Sequence, residues 1–408
     1  VMSDAARQRV AKRYGAERRF KAYGIIAIGF AGLFLAILLA DIIIKALPAF
    51  FQSRLVLQVT LTAEDLDPSG SKDLDRIALE GNFIAPVRNT LQAMVPSADS
   101  RTERRLLNGL VSSGGDKGVR AAVMSDVNAI GRQVSVPVLL SDDADLYLAG
   151  RMTRTIVTPG AGTATPSADD GDVELSSTSN AFADLLVTTK RSLAAEAERI
   201  ADSADELARA LRAQESNLQL ATDRLAAVRQ SAPDRVAQAE GELAKVNSDI
   251  ESLKRTIEER RTRAAALRER SQRGGTAEQL DNTVPSLLIN INGGVIKVTE
   301  LSNAAVKGVV LTKLSSVNEA KSGAWEVVQL TVPESSRKLS DQEVAYLEVL
   351  KDAGVVERVF NWAFFTTGDS REAELAGIWG ALVGSALTML VTLRSEEHTS
   401  ELQSRQYL

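Results

Sequence analysis

Residues Gly24–Ile44 read GIIAIGFAGLFLAILLADIII, twenty-one residues with a single charge at Asp41. As an α-helix rising 1.5 Å per residue, this run covers roughly 31 Å, the thickness of a bilayer's hydrocarbon core. It is therefore expected to cross a membrane. A secretory signal has a shorter apolar region, about 7–15 residues, ending at a small-x-small cleavage site. Here Lys45-Ala46-Leu47-Pro48 follows instead, and a retained anchor is the expectation. Seven basic side chains precede the run (Arg7, Arg9, Lys12, Arg13, Arg18, Arg19 and Lys21) against Asp4 and Glu17. The positive-inside rule then places the N-terminus in the cytoplasm and everything after Lys45 outside. Asp41 sits one turn from the helix end with Lys45 at i+4, so it reads as a headgroup-level ion pair rather than a functional intramembrane carboxylate. Phe50 and Phe51 fall at the outer interface.

Composition removes several function classes. The chain has no cysteine and one histidine, His398, near its end. Thiolate chemistry, a disulfide framework, a Ser-His-Asp triad and a histidine metal centre have nothing to be built from. No cofactor and no metal are expected, and no catalytic residue is assigned. The basic arm lacks interleaved stacking aromatics and runs directly into the apolar segment, which argues against nucleic acid. Between this arm and Arg394 the chain carries a formal charge of −9.

A second apolar run, Leu375–Leu393 (LAGIWGALVGSALTMLVTL), has nineteen residues, near the short end for a spanning helix. Ala376, Gly380, Gly384 and Thr388 recur every four residues and form a small-residue face on which another helix could pack closely. Just before it, Phe360, Trp362, Phe364 and Phe365 suit a membrane–water interface. Asp369 is a plausible N-cap with Glu372 completing a box-like pattern.

Between the two runs, Arg54–Thr62 alternates at period two and predicts a strand. Leu74–Leu91 and Thr102–Val111 carry helical patterns, and Val134–Leu140 a strand. Asp142, Asp143 and Asp145 could suggest a divalent cation, but the glycine and terminal glutamate of an EF-hand loop are missing, so a solvated turn is expected. Thr158–Asn180 is dominated by Thr, Ser, Gly, Pro, Ala and Asp and reads as a linker.

Beyond it, Leu186, Leu193, Ile200 and Leu207 repeat every seven residues, resuming after a four-residue step at Leu211, Leu218 and Leu225. After a break at Ser231-Ala232-Pro233-Asp234, Val236, Leu243, Ile250 and Ile257 alternate with Ala239, Val246 and Leu253. This predicts an antiparallel coiled-coil hairpin with its tip near Pro233, its second arm running to Arg270, roughly 55 Å. The basic stretch Arg255–Arg273 could hold phosphate or anionic lipid, but Glu258, Glu259 and Glu269 interrupt it, and a solvated helix face is expected. Short strands follow at Ser286–Ile291, Gly294–Leu301, Gly308–Lys313 and Trp325–Val332, with Asn292-Gly293-Gly294 suited to a hairpin turn. Neither glycine belongs to a phosphate-cradling motif. Ser340–Gly354 is a short amphipathic helix.

Four stretches carry a family resemblance: RRFKAYGIIAIGFAGLFLAILLADIIIKALPAF (Arg18–Phe50), SDDADLYLAG (Ser141–Gly150), RKLSDQEVAYLEVL (Arg337–Leu350) and FNWAFFTTGDSREAELAGIWGALVGSALTMLVTL (Phe360–Leu393). They resemble the N-terminal part of PstA-type permease subunits of phosphate ABC transporters, which bear an extra domain of unknown function of the DUF3333 type. The similarity covers about Arg13–Arg154 and Arg337–Leu393, and Gly368–Gly380 is its most specific part, although Ala373 stands where proline is expected. In the compact form of this family the segments resembling DLYLAG and LSDQE lie close together, whereas here about 180 residues intervene. Residues 155–336 thus read as an insertion whose role is not inherited. The tail RSEEHTSELQSRQYL is similar to a translated sequencing adapter, which would make His398 foreign to the protein, and the permease core is expected to continue past Leu393.

The expected architecture is an α+β membrane protein: a basic cytoplasmic arm (1–23), a first transmembrane helix (24–47), an extracytoplasmic α/β domain (48–154), a linker (155–180), a coiled-coil hairpin (181–273), a β-rich segment (274–336), the rest of the external domain (337–374), a second transmembrane helix (375–393) and a non-native tail (394–408). The resemblance implies a non-enzymatic subunit of the bacterial inner membrane that passes inorganic phosphate inward. ATP hydrolysis would fall to an ATPase dimer, with a second permease subunit and an extracytoplasmic phosphate-binding protein as further partners. The alternative is a membrane-anchored periplasmic adaptor of an export system, which has one anchor, a helical hairpin and flanking β-segments. An adaptor has no use for an interfacial aromatic belt followed by a small-residue helix face.

Overall fold

The computed structural model describes residues 4–151, 155–275 and 277–406. Side chains of the basic arm and of His398 lie outside what is described. The chain is mixed α/β. Helix α1 (Asp4–Ala46) contains Tyr23–Ala46, a 24-residue stretch that is apolar apart from Asp41 and Lys45, is not buried and is long enough to cross a membrane. Asp41 accepts from Lys45 at 2.8 Å, the i,i+4 pair that the spacing suggests. A 3-10 turn at Leu47–Phe50 leads into β1 (Phe51–Thr60). The helices α2 (Ala63–Leu66), α3 (Leu74–Glu80), α4 (Ala85–Met94), α5 (Arg101–Gly109) and α6 (Lys117–Ser125) follow. The Leu74–Leu91 pattern is thus split, because the chain turns at Gly81, where a Cβ would sit 2.7 Å from the Ile77 carbonyl oxygen. In α5 a capping box of Ser100 and Glu103 closes the first turn. Strand β2 (Gln133–Leu139) pairs antiparallel with β1.

Asp142, Asp143 and Asp145 form no solvated turn. They make the first turn of α7 (Asp142–Leu148) after Ser141, where carboxylates favour the helix N-terminus. Asp143 also accepts from Lys338 at 3.1 Å.

The expected linker is likewise corrected. Residues 155–180 supply β3 (Thr155–Pro159), β4 (Thr165–Pro166) and β5 (Asp172–Ser176). These strands borrow their apolar cover from sequence-distant elements: β3 pairs with β10 and β5 with β9. At the end of β3, Gly160 lies flat on the Trp325 indole, with room for no side chain, and Trp325 Nε1 donates to the Gly162 carbonyl at 3.1 Å.

The coiled-coil hairpin follows as α8 (Ala181–Ser231) and α9 (Val236–Gln272), joined through a 3-10 turn at Pro233–Arg235. Next come β6 (Ala277–Gln279), β7 (Pro285–Ile291), β8 (Gly294–Ser302), β9 (Ala305–Thr312), β10 (Trp325–Pro333), α10 (Asp341–Asp352), β11 (Val356–Phe360), α11 (Ala363–Thr366) and α12 (Trp379–Gln406). Strands β7 and β8 meet through Asn292 (φ 49°) and Gly293 (φ 73°), the two positive-φ positions of a type I′ turn.

Two sheets result: β11-β1-β2, and an eight-stranded sheet whose path is β3-β10-β7-β8-β9-β5-β4, with β6 added against β8. Alternation sends the two faces of the larger sheet to different cores. Leu287, Ile289, Ile296, Val298, Trp325 and Val327 pack with Phe182, Leu186, Leu193 and Leu267 at the root of the hairpin. Leu288, Val295, Val328 and Leu330 instead join Val344, Leu347 and Leu350 of α10 in the core that also holds Leu55, Leu57, Leu107 and Val138. The proposed insertion therefore shares a core with its flanks. The eight-stranded sheet lies between the hairpin root and α10.

The chain divides into two compact units, one of Arg54–Glu357 and one joining residues up to Ser53 with those from Arg358 on. In the second unit the apolar part of α12 covers only Trp379–Arg394, about 24 Å. The apolar run in the sequence begins at Leu375. A 3-10 turn at Ala373–Leu375, entered from Glu372, takes up that stretch, so Asp369 does not cap it.

Candidate membrane-interface site

The turn that shortens α12 is part of an aromatic cluster within the second unit. Phe50, at the end of the anchor, stacks on Phe365 at 5.5 Å between centroids and meets Phe364 edge-on at 5.7 Å. Phe360 lies 5.7 Å from Phe51, 4.8 Å from Trp362 and 5.9 Å from Phe365. The four aromatics singled out in sequence thus come together with Phe50 and Phe51. Rings in such offset and edge contacts gain about 0.5–1.5 kcal/mol per pair beyond area burial. Trp362 remains 70 % exposed, a large amphipathic ring turned to the surroundings. The Arg358 guanidinium stands 5.6 Å over Phe51 and donates to the Pro48 carbonyl at 3.3 Å.

Backbone hydrogen bonds fix this arrangement. Asn361 N donates to Phe50 O at 2.8 Å, and Ile378 N and Gly377 N donate to Phe364 O and Gly368 O, each at 2.8 Å. Gly377 is required here, since a Cβ would lie 2.3 Å from the Thr367 carbonyl oxygen. Gln52 Nε2 donates to the Glu374 carbonyl at 3.3 Å. The end of the anchor, α11 and the start of α12 therefore form one hydrogen-bonded knot floored by phenylalanine.

The expected small-residue face is incomplete on α12. Ala376 precedes the helix, while Gly380, Gly384 and Thr388 lie on it, all exposed. The Thr388 hydroxyl turns back to the Gly384 carbonyl at 2.8 Å. A Cβ at Gly380 or Gly384 would meet nothing within 4 Å.

Sequence reasoning missed a buried ionic cluster that fastens α10 to the larger sheet. Asp341, 1 % exposed, is held by Arg337 and by Lys297 at 2.7 Å, and accepts from the Ser286 hydroxyl at 3.0 Å. Glu334 accepts from Lys297 at 2.6 Å and from the Asp341 backbone N–H at 2.8 Å. Burial opposes ionisation of Asp341, but Arg337 and Lys297 outweigh it and hold the carboxyl below its ordinary value of 3.8. Burial likewise opposes the charge on Lys297, and the hydrogen bonds to Asp341 and Glu334 overcome it, raising its pKa. Glu348 completes this polar layer, accepting from Tyr147 at 2.9 Å, Asn290 at 3.1 Å and Lys351 at 2.9 Å. The capping box of Ser340 and Glu343 that starts α10 and the short-range pairs Arg337–Asp341 and Lys351–Glu348 are readable locally. The partners on β7 and β8 lie 44–58 residues away and give no local signal.

Among the described residues no three or more His, Cys, Asp or Glu side chains group to hold a metal ion. No curated protein and no solved structure matches the chain. Residues 7–157 match one family model, and the chain carries there a DUF3333 domain, a domain of unknown function.

Proposed function

We propose that this chain is the membrane-anchored N-terminal part of the permease subunit of an ATP-driven inorganic phosphate importer of the bacterial inner membrane. The observation that carries the reading is the aromatic knot at Phe50–Phe51 and Phe360–Phe365, from which the anchor and α12 both depart. A permease needs such a re-entry point, where the chain returns to the bilayer and starts a helix whose Gly380, Gly384 and Thr388 can take a neighbouring helix. The DUF3333 domain at 7–157 and the resemblance of Gly368–Gly380 to PstA-type permeases support the same reading. In this role the N-terminus is cytoplasmic and residues 48–374 are extracytoplasmic. A second permease subunit, an ATPase dimer and a phosphate-binding protein are the partners, and ATP is hydrolysed on the ATPase. The 16-residue apolar part of α12 reaches a full span if the turn at 373–378 rewinds into helix when it packs against neighbouring helices.

One observation favours a second reading. A hairpin of 51 and 37 residues is the hallmark of a membrane-anchored periplasmic adaptor. Sequencing the gene downstream of the Leu393 codon separates the two. The permease reading expects the frame to continue into several apolar helices with a short polar loop between them, and a frame that stops would sink it in favour of the adaptor.

A further inference from the structure

At the root of the hairpin, α8, α9 and the end of β10 enclose a cavity of about 280 Å³, lined by Glu196, Arg199, Ser203, Arg260, Arg263 and Ser336 among others. Arg199 and Ser203 are one turn apart on α8, and Arg260 and Arg263 are three residues apart on α9, so each pair shares a helix face. The interruptions that argued against a basic site in the sequence fall elsewhere in space. Glu258 and Glu259 are exposed and do not line the cavity, and Glu269 pairs with Arg273 at 3.0 Å.

The charges inside do not balance. Glu196, almost fully buried, is taken by Arg199 through two hydrogen bonds of 2.6 and 2.8 Å. Arg260 donates to the Ser203 hydroxyl and Arg263 to the Thr283 carbonyl at 2.6 Å, both uncharged acceptors. Among the described residues neither forms an ion pair. Asp281 lies near enough to Arg263 to feel its field, but its carboxylate is held by the backbone N–H and hydroxyl of Thr283. The lining groups thus sum to +2 within a body that is acidic overall. Guanidinium groups recognise oxyanions through paired N–H donors, and the Ser203 and Ser336 hydroxyls can add donors.

We propose that this cleft binds a small tetrahedral oxyanion, held by Arg260 and Arg263 with Arg199 at the rim. The cleft shares no residue with the membrane-interface knot and does not depend on the transport reading. The test is equilibrium dialysis of the full chain, in a phosphate-free maltoside detergent at low ionic strength, against labelled sulfate and labelled inorganic phosphate. The expected result is one saturable site for which the two ions compete. Arg260→Gln and Arg263→Gln should each weaken it by about tenfold or more, while Arg273→Gln, outside the cleft, leaves it unchanged. Circular dichroism of each variant shows that the fold is kept. Should Arg263→Gln unfold the hairpin root, the parent chain and Arg260→Gln decide alone. Absence of saturable binding of either ion to the parent, or glutamine variants that bind as tightly as the parent, would overturn the proposal.

Discussion

Asp341 shows how much can rest on one side chain. It is buried against Arg337 and Lys297, and removing one partner of a buried ionic group leaves the others uncompensated at a cost of about 3–5 kcal/mol. Asp341→Asn is therefore expected to lower unfolding stability by that order, read from denaturant titration of the full chain in detergent. The pH dependence follows from the same contacts. Because the folded-state pKa lies below 3.8, the carboxylate contributes stability above pH 3.8, which is lost as pH falls through the folded value. The parent should lose stability on acidification more steeply than Asp341→Asn; equal slopes would mean that Asp341 is not the group responsible. At this scale the sequence is legible where chemistry is local. Asn292-Gly293 announces its turn and Ser340-x-x-Glu343 its helix start. Arg337 lies four residues before Asp341, but its other partners, Lys297 on β8 and Ser286 on β7, are 44 and 55 residues away, and no spacing rule finds them.

For whole elements, the hairpin was the most legible part and the strands before it the least. Heptads in α8 and α9 declare themselves because each helix repeats its own seam. Strands β3, β4 and β5 are short and rich in Thr, Ser, Pro and Asp, and become strands only because β10 pairs with β3, β9 with β5 and β5 in turn with β4. The energetics of the hairpin are uneven along its length. Phe182, Leu186, Leu193, Ile200, Ala264 and Leu267 join the core beneath the sheet, whereas the buried Leu225, Ala239 and Ile250 farther out belong to neither core. Cross-arm pairs such as Arg224–Glu242 and Arg229–Glu240 are exposed and contribute little. Removing Arg212–Lys254 and joining Leu211 to Arg255 with a short glycine-rich turn should leave the melting temperature of the rest within about 3 °C. A large fall would show that the outer hairpin supports the fold. By contrast, deleting all of residues 155–336 would strip Leu288, Val295, Val328 and Leu330 from the main core, so that deletion cannot isolate a role for the insertion.

On the scale of the molecule, the anchor was plain because its signal is a count of apolar residues. The start of the second run was not. Its first four residues, Leu375–Ile378, are apolar enough for a helix, yet they fold as a turn because Gly377 and Ile378 bond back to Gly368 and Phe364. Composition measures only whether a segment can enter a bilayer, and backbone pairing decides where its helix begins. The proposed role of this chain is in an ATP-driven phosphate importer. Its most direct test is uptake of radiolabelled inorganic phosphate, at low external concentration, by cells with the gene deleted and by the same cells with it restored. Deletion is expected to abolish energy-dependent, high-affinity uptake and restoration to return it, with a dependence on ATP that survives collapse of the membrane potential. Uptake unchanged by deletion would contradict it.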